Sequence, residues 1–156
     1  MSTAYLIEPA TSDDFLNVAA LDRIAWRETP DTFIPDGEHI WRVWCDHATL
    51  LVARRTDEIK LPHTANIAGA TVVFPTLGSE TFLHKIMVHP DCRGEGIGSA
   101  LMRAALEQAP STVLLTVDPA NTAAMQLYEN FGFRLRTMIP GYYRSHEDRN
   151  IMEFVV

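Results

Sequence analysis

Residues 82–101 read as an apolar run, a glycine-rich turn and a helix, and that order limits what the chain can fold into. Phe82-Leu83-His84-Lys85-Ile86-Met87-Val88 has the apolar content of a strand. Gly94, Gly96 and Gly98 follow, and Ile97, Leu101, Ala104 and Ala105 then recur at helical spacing. The first turn of a helix has backbone N–H groups with no internal partner and the positive end of the macrodipole, and glycines let a ligand approach that backbone closely. The stretch is therefore an anion cradle at the end of a strand.

Its spacing excludes two nucleotide folds. A Walker loop needs Lys-Ser/Thr after its last glycine, whereas Gly98 is followed by Ser99-Ala100. A dinucleotide fingerprint needs Gly-x-Gly-x-x-Gly near the start of a βαβ unit, whereas Gly94-x-Gly96 is followed by Ser99 and lies mid-chain. What remains, Arg93-x-x-Gly96-x-Gly98, resembles the coenzyme A signature of the GNAT superfamily of N-acyltransferases. Downstream, Asn121-Thr122-Ala123-Ala124-Met125-Gln126-Leu127-Tyr128-Glu129-Asn130-Phe131-Gly132-Phe133 is similar to the other recurring segment of that superfamily, Asn-x-x-Ala-x-x-Leu-Tyr-x-x-x-Gly-Phe. The two lie in the right order and at the right separation. The resemblance covers Thr81 to Phe133.

Composition sets the remaining bounds. With 156 residues, 47% hydrophobic and 21% charged, a single globular domain spanning 1–156 is expected. A formal charge of −7 argues against nucleic-acid binding, which rests on many Lys and Arg contacts to phosphates, and fits a cationic amine weakly. Cys45 and Cys92 are too few for a disulfide scaffold and lack metal spacing. No export leader and no bilayer-length apolar run is legible, so a soluble, cytoplasmic protein is expected.

In chain order, Ala4–Ile7 reads as a strand, and Thr11 with Asp14 as a capping-box-like start to a helix carrying Phe15, Val18, Leu21 and Ala25. Two prolines break residues 26–36 into a loop that either closes over an amine or is a surface linker. Gly37–His47 reads as a second helix. Its His39 and His47 share a face but have no third ligand, so no metal is expected. Thr49–Arg54, Ile67–Phe74 and Phe82–Val88 form an antiparallel meander, and Val113–Val117 returns parallel to the last of them after a crossover helix. Asn121 caps a helix with Ala124, Leu127, Tyr128 and Phe131 on one face and Gly132 as its stop. Phe133–Tyr143 and Ile151–Val156 are two further strands. The sum is an α/β sandwich: a mixed, mostly antiparallel sheet with a parallel central pair, and about four helices.

The resemblance implies acetyl transfer from acetyl-CoA to an amine. Backbone N–H groups of Gly94, Glu95, Gly96, Ile97, Gly98 and Ser99, after Arg93, would bind the pyrophosphate. The backbone of Ile86, Met87 and Val88 would pair with the pantetheine amides, and Asn121, by itself a helix cap, would add a contact. Tyr128 is either the acid that protonates the thiolate or a core aromatic. His84, which resembles a histidine of the serotonin N-acetyltransferases, is either a base acting through a water or a core residue; regular alternation puts it on one face with Phe82, Ile86 and Val88. Trp26, Glu28, Asp31, Phe33 and Tyr142 are the candidates for binding the acceptor. The segment Gly141-Tyr142-Tyr143-Arg144 resembles the last hairpin of the ribosomal-alanine acetyltransferases, but those enzymes carry a glutamate where this chain has Thr116. A small-molecule amine is therefore preferred to a peptide N-terminus. A coenzyme A sensor without catalysis would have lost Tyr128 or the glycines, and both are retained. A covalent relay through Cys92 is disfavoured, because it sits in the turn before the cradle. No nucleic-acid or membrane partner is expected, and homodimerisation is left open.

Overall fold

The computed structural model describes residues 4–26 and 34–156. Its contacts gather into two compact units, one running to Phe74 and resuming over His84–Glu107, the other formed by Pro75–Leu83 and Gln108–Val156.

The first unit contains β1 (Tyr5–Pro9), α1 (Phe15–Ala25), α2 (Glu38–His47), β2 (Thr49–Arg55), β3 (Ile67–Pro75), the C-terminal part of β4 (Thr81–Val88) and most of α3 (Ile97–Gln108). Its strands lie in the order β1-β2-β3-β4. Val18, Leu21 and Ala25 of α1 form the apolar stripe seen in the sequence and pack with Trp41, Leu50, Val52, Ala70, Val72 and Met87. The opposite face of the sheet receives α3. At Gly69 an added Cβ would lie 2.8 Å from Ile97 Cγ2 and 3.1 Å from the Met87 carbonyl, so only glycine lets α3 and β4 come this close to β3. Alternation in β2 sends Arg54 to Asp14 at the start of α1, and Arg55 to Glu95 in the glycine turn.

The start of α1 keeps one half of the expected capping box, the Thr11 N–H donating to the Asp14 carboxylate, and departs from it in the other. Asp14, not Thr11, is the N-cap residue, and its side chain makes no cap hydrogen bond. Its carboxylate instead accepts from the backbone N and the hydroxyl of Thr11 and from Arg54. The guanidinium competes for the oxygen that would otherwise reach into the helix.

The second unit begins with the first residues of β4 and adds β5 (Val113–Val117), α4 (Thr122–Phe131), β6 (Arg134–Ile139) and β7 (Arg149–Phe154), in the order β4-β5-β7-β6. The parallel ladder joins Thr81 to Val113 and Phe82 to Leu114; β5–β7 and β7–β6 are antiparallel. Asn121 Oδ1 accepts from the Ala124 N–H at 3.1 Å, and Gly132 closes α4 in the left-handed region at φ 106°. Two expectations shift. Leu127 is exposed, and the half-buried stripe is Ala124, Met125, Tyr128 and Phe131, with Met125 Sδ accepting from Asn150 Nδ2. β6 stops at Ile139, short of the expected Tyr143, because Pro140 has no N–H to continue a ladder. The turn that follows is tied by Tyr142 N–H to the Glu147 carbonyl and by Gly141 N–H to Asp148. The described residues thus form the expected α/β arrangement, a mixed sheet with one parallel pair and four helices.

Candidate active site

Two sets of groups in the first unit have the composition of a site. One is the cradle. His89 N–H bonds the Ala68 carbonyl at 2.7 Å, which fixes the chain as it leaves β4, and a short 3₁₀ turn over Pro90–Cys92 follows. Gly94 and Gly96 have φ of 82° and 78°, the left-handed region that favours glycine, and an added Cβ at either would meet nothing within 4 Å. The backbone there opens on free space. Ala100 N–H closes the first helical bond onto the Gly96 carbonyl, so the amides of Ile97, Gly98 and Ser99 lie in the unpaired first turn of α3.

Neighbouring charges keep this opening receptive to anions. No acidic residue lies in the first turn of α3, and the Glu95 carboxylate is held at 2.9 Å by Arg55, whose side chain is 1% exposed. Hydrogen bonds donated to Asp57 and then to Glu95 hold the Arg55 guanidinium above its ordinary range, and it also donates to Cys92 Sγ at 3.3 Å. Burial raises the Cys92 thiol above its usual pKa, which disfavours the thiolate a relay would need. Arg93, expected at the pyrophosphate, donates to the Ala25 carbonyl at 2.6 Å and so ties the cradle to the last turn of α1. A diphosphate fits this cradle: open glycine backbone, unpaired amides, and the one carboxylate within Gly94–Ser99 already neutralised.

The other set is a charged cluster that the sequence did not announce. Asp22 on α1 is fully buried and accepts hydrogen bonds from four donors among the described residues: Trp26 Nε1 (2.9 Å), Trp41 Nε1 (3.2 Å), Lys85 Nζ (2.9 Å) and the Asp36 backbone N–H (2.7 Å). Asp36 Oδ2 in turn lies 2.9 Å from both His84 Nε2 and Lys85 Nζ. Burial alone would raise the Asp36 pKa, but hydrogen bonds from His84 and Lys85, with their charges, outweigh it and hold the group down to about 2. His84 also packs on Trp44, with ring centroids 4.9 Å apart, and near Phe74.

This placement corrects the expected alternation. Gly98, at the start of α3, has Val88 Cγ2 and Ile86 Cγ2 as its neighbours, whereas His84 lies against α2 on the other side of the sheet. Two successive residues, His84 and Lys85, meet one carboxylate, which a regular strand forbids. His84 therefore leaves the face shared by Ile86 and Val88. Met87, between these two, is buried in the α1–α2 core and contributes its backbone alone to that edge.

Of the other expected residues, Trp26 joins the cluster through Asp22, while Glu28, Asp31 and Phe33 lie outside the described residues. Asn121 and Tyr128 belong to the second unit. Asn121 is the helix cap already described, and Tyr128 is half-buried beside Phe133, with burial raising its phenol above the ordinary pKa. Tyr142 is exposed and packs edge-on against Tyr143. Thr116 lies on β5 opposite Ile151. Among the described residues no group of three metal-ligating side chains comes together. No helix of the structure is long and apolar enough to cross a membrane.

Asp22, Asp36 and Lys85 were missed in the sequence, although Asp22 left a signal. It interrupts the apolar stripe of α1, four residues after Val18 and one after Leu21, where a charge must find partners or unfold the helix.

The model of the Acetyltransferase (GNAT) family matches residues 18–133, and the chain belongs to that family. Among curated proteins it is 35% identical over 106 residues to a mycothiol acetyltransferase of Thermobispora bispora, covering 65% of this chain and 35% of that protein. It is also 35% identical over 80 residues to the bS18-alanine N-acetyltransferase of Salmonella typhimurium, covering 47% of this chain and 54% of that one. The chain thus spans between about a third and about half of the length of these relatives. Among solved structures, the ribosomal-protein-S18-alanine N-acetyltransferase of Escherichia coli superposes with a TM-score of 0.77 at 22% identity, covering 97% of this chain and 94% of that one. The NatC complex bound to Gag peptide and CoA gives 0.74 at 19% identity, covering 99% of each. These last two establish the fold. Acetyl-CoA is the acetyl donor of the family.

Proposed function

We propose that the chain is one acetyl-CoA-dependent N-acetyltransferase domain that moves an acetyl group directly to a primary amine of a small molecule. The observation that carries this is the cradle: glycine backbone opening on free space at the start of α3, with its carboxylate neutralised by Arg55. Acetyl-CoA, when bound, supplies an acetyl group activated as a thioester.

The amides of Gly94 to Ser99 hold the diphosphate, and the Ile86–Val88 backbone, beyond the β4–β5 ladder at Thr81 and Phe82, is the edge offered to the pantetheine amides. Arg93 acts by fixing the cradle against Ala25. His84, although it lies across the sheet from the Ile86–Val88 face, takes the proton of the incoming ammonium through a water, and Tyr128 Oη holds the proton that the leaving sulfur requires, a phenol being protonated at neutral pH and burial raising its pKa further. Asn121 holds the start of α4 and adds a contact to the donor. Trp26, Glu28, Asp31, Phe33 and Tyr142 remain the sequence-based candidates for recognising the acceptor.

A peptide N-terminus is the second reading, supported by the bS18-alanine relative and weakened by Thr116, which cannot act as a base. A panel of amines, polyamines, amino acids, aminoglycosides and short peptides, assayed for thiol release from acetyl-CoA, separates the two. Release with small amines and none with peptides is expected. Release with peptides alone would reverse the order, and coenzyme A binding without turnover on any acceptor would favour the sensor.

A further inference from the structure

The groups around His84 decide which of its nitrogens can act. Facing it are Asp36 from the segment before α2, Lys85 from its own strand, Trp44 from α2 and Phe74 from β3, with Asp22 of α1 on the far side of Lys85. Asp36 is held at two points. Its backbone N–H is bound by the fully buried Asp22, and its carboxylate oxygen is shared by Lys85 and His84. The carboxylate is therefore not free to turn away from the imidazole, and Lys85 sets its direction.

We propose that Asp36 is a positioning residue: by accepting the Nε2–H of His84 it fixes the ring and leaves Nδ1 as the nitrogen that takes the acceptor's proton. This rests on the reading of His84 as the base. An ionised carboxylate can only accept a hydrogen bond, so Nε2 must donate, and in a neutral imidazole the other nitrogen then carries the lone pair. In the transfer, through one water, an N–H bond of the ammonium breaks and its electron pair stays on the amine. A bond forms at Nδ1, and the resulting imidazolium faces the Asp36 carboxylate, after which the proton passes to solvent. Without that charge, the nearest fixed charge to the imidazolium would be the Lys85 ammonium, which disfavours it.

The backbone N–H of residue 36 bonds Asp22 whatever its side chain is, so Asp36→Asn and Asp36→Ala remove the carboxylate and keep that anchor. The test has two readouts. The first is the tautomer of the neutral His84 ring, read from its ring-nitrogen NMR shifts in parent and Asp36→Ala protein without ligands. The parent ring should carry its proton on Nε2 and Asp36→Ala should lose that preference; a parent ring protonated on Nδ1, or a tautomer unchanged in Asp36→Ala, overturns the proposal. The second is the pH–rate profile. His84→Ala should remove the limb that rises with pH, Asp36→Asn should displace that limb, and Asp36→Ala should in addition lower kcat with the acetyl-CoA KM unchanged. If His84→Ala retains the limb, the base reading itself fails and the proposal falls with it. If His84→Ala removes the limb but Asp36→Asn leaves it in place, His84 stands as the base and Asp36 alone is dismissed.

Discussion

The cradle and the charged cluster lie in the same unit and are built in opposite ways. The cradle is made of backbone: its amides belong to consecutive residues, its shape follows from two glycines at positive φ, and its side chains serve mainly to neutralise or anchor. The cluster is made of side chains drawn from α1, the segment before α2, α2 and β4, separated by as many as 63 positions. A backbone site tolerates changes of side chain and fails when a Cβ intrudes. A side-chain site fails when one charge is lost, because each remaining group is then buried without its partner.

The sharpest contrast is in stability. Asp22→Ala removes the acceptor of two indole N–H groups and of the Asp36 N–H, and leaves Lys85 Nζ with Asp36 Oδ2 as its remaining carboxylate, and should cost about 3 kcal/mol. In the cradle, Ser99→Ala should change stability by less than about 0.5 kcal/mol. Urea denaturation measures both; a loss below about 1 kcal/mol at Asp22 would mean that the cluster is loosely held and would erase the contrast.

Tyr128 introduces a third kind of group, a single hydroxyl in the second unit. Tyr128→Phe keeps the ring beside Phe133 and should lower kcat roughly 100-fold with little change in the acetyl-CoA KM. Steady-state kinetics with thermal melting as the folding control decides it. Turnover within about threefold of the parent would leave Tyr128 a packing residue.

The smallest effect expected is in the acid range. The folded pKa of Asp36 is depressed from 3.8 to about 2, so its contribution is present above the unfolded value and is lost as pH falls through the folded one. The parent should exceed Asp36→Asn by about 1 kcal/mol above pH ~4, a figure reduced by solvent at the open edge of the carboxylate, and the difference should shrink as pH falls toward ~2 and vanish only below it. Denaturation at several pH values tests this. A difference independent of pH would show that Asp36 acts through packing alone.

What was legible in the sequence follows the same division. Helices α3 and α4, the strands and the cradle announce themselves through local spacing, glycines and caps, and each lies within a few residues of its expected bounds. The path of His84 was not legible, because alternation assumes a regular strand and His84 and Lys85 share one carboxylate. Leu127 was expected in the core from helical periodicity, which gives the face but not its centre, and Met125 takes that place through Asn150. The Asp22–Lys85–Asp36 cluster had only the charge within the α1 stripe to betray it, since its partners are brought near by the fold and not by the chain.

The claim on which the functional reading stands is that the start of α3 holds coenzyme A, and Gly98 allows it to be tested apart from folding. Its backbone is outside the left-handed region, and an added Cβ would lie 3.6 Å from Val88 Cγ2 and 3.9 Å from Ile86 Cγ2, ordinary contact distances. Gly98→Val should therefore stay folded, since valine is no worse than glycine in a helix, while its branched side chain stands over the Ile86–Val88 edge, where the single methyl of alanine, which the coenzyme A signature also admits, would not reach the donor. Calorimetric titration with coenzyme A should give an affinity roughly tenfold or more below that of the parent. Equal affinity in the folded variant would contradict that claim.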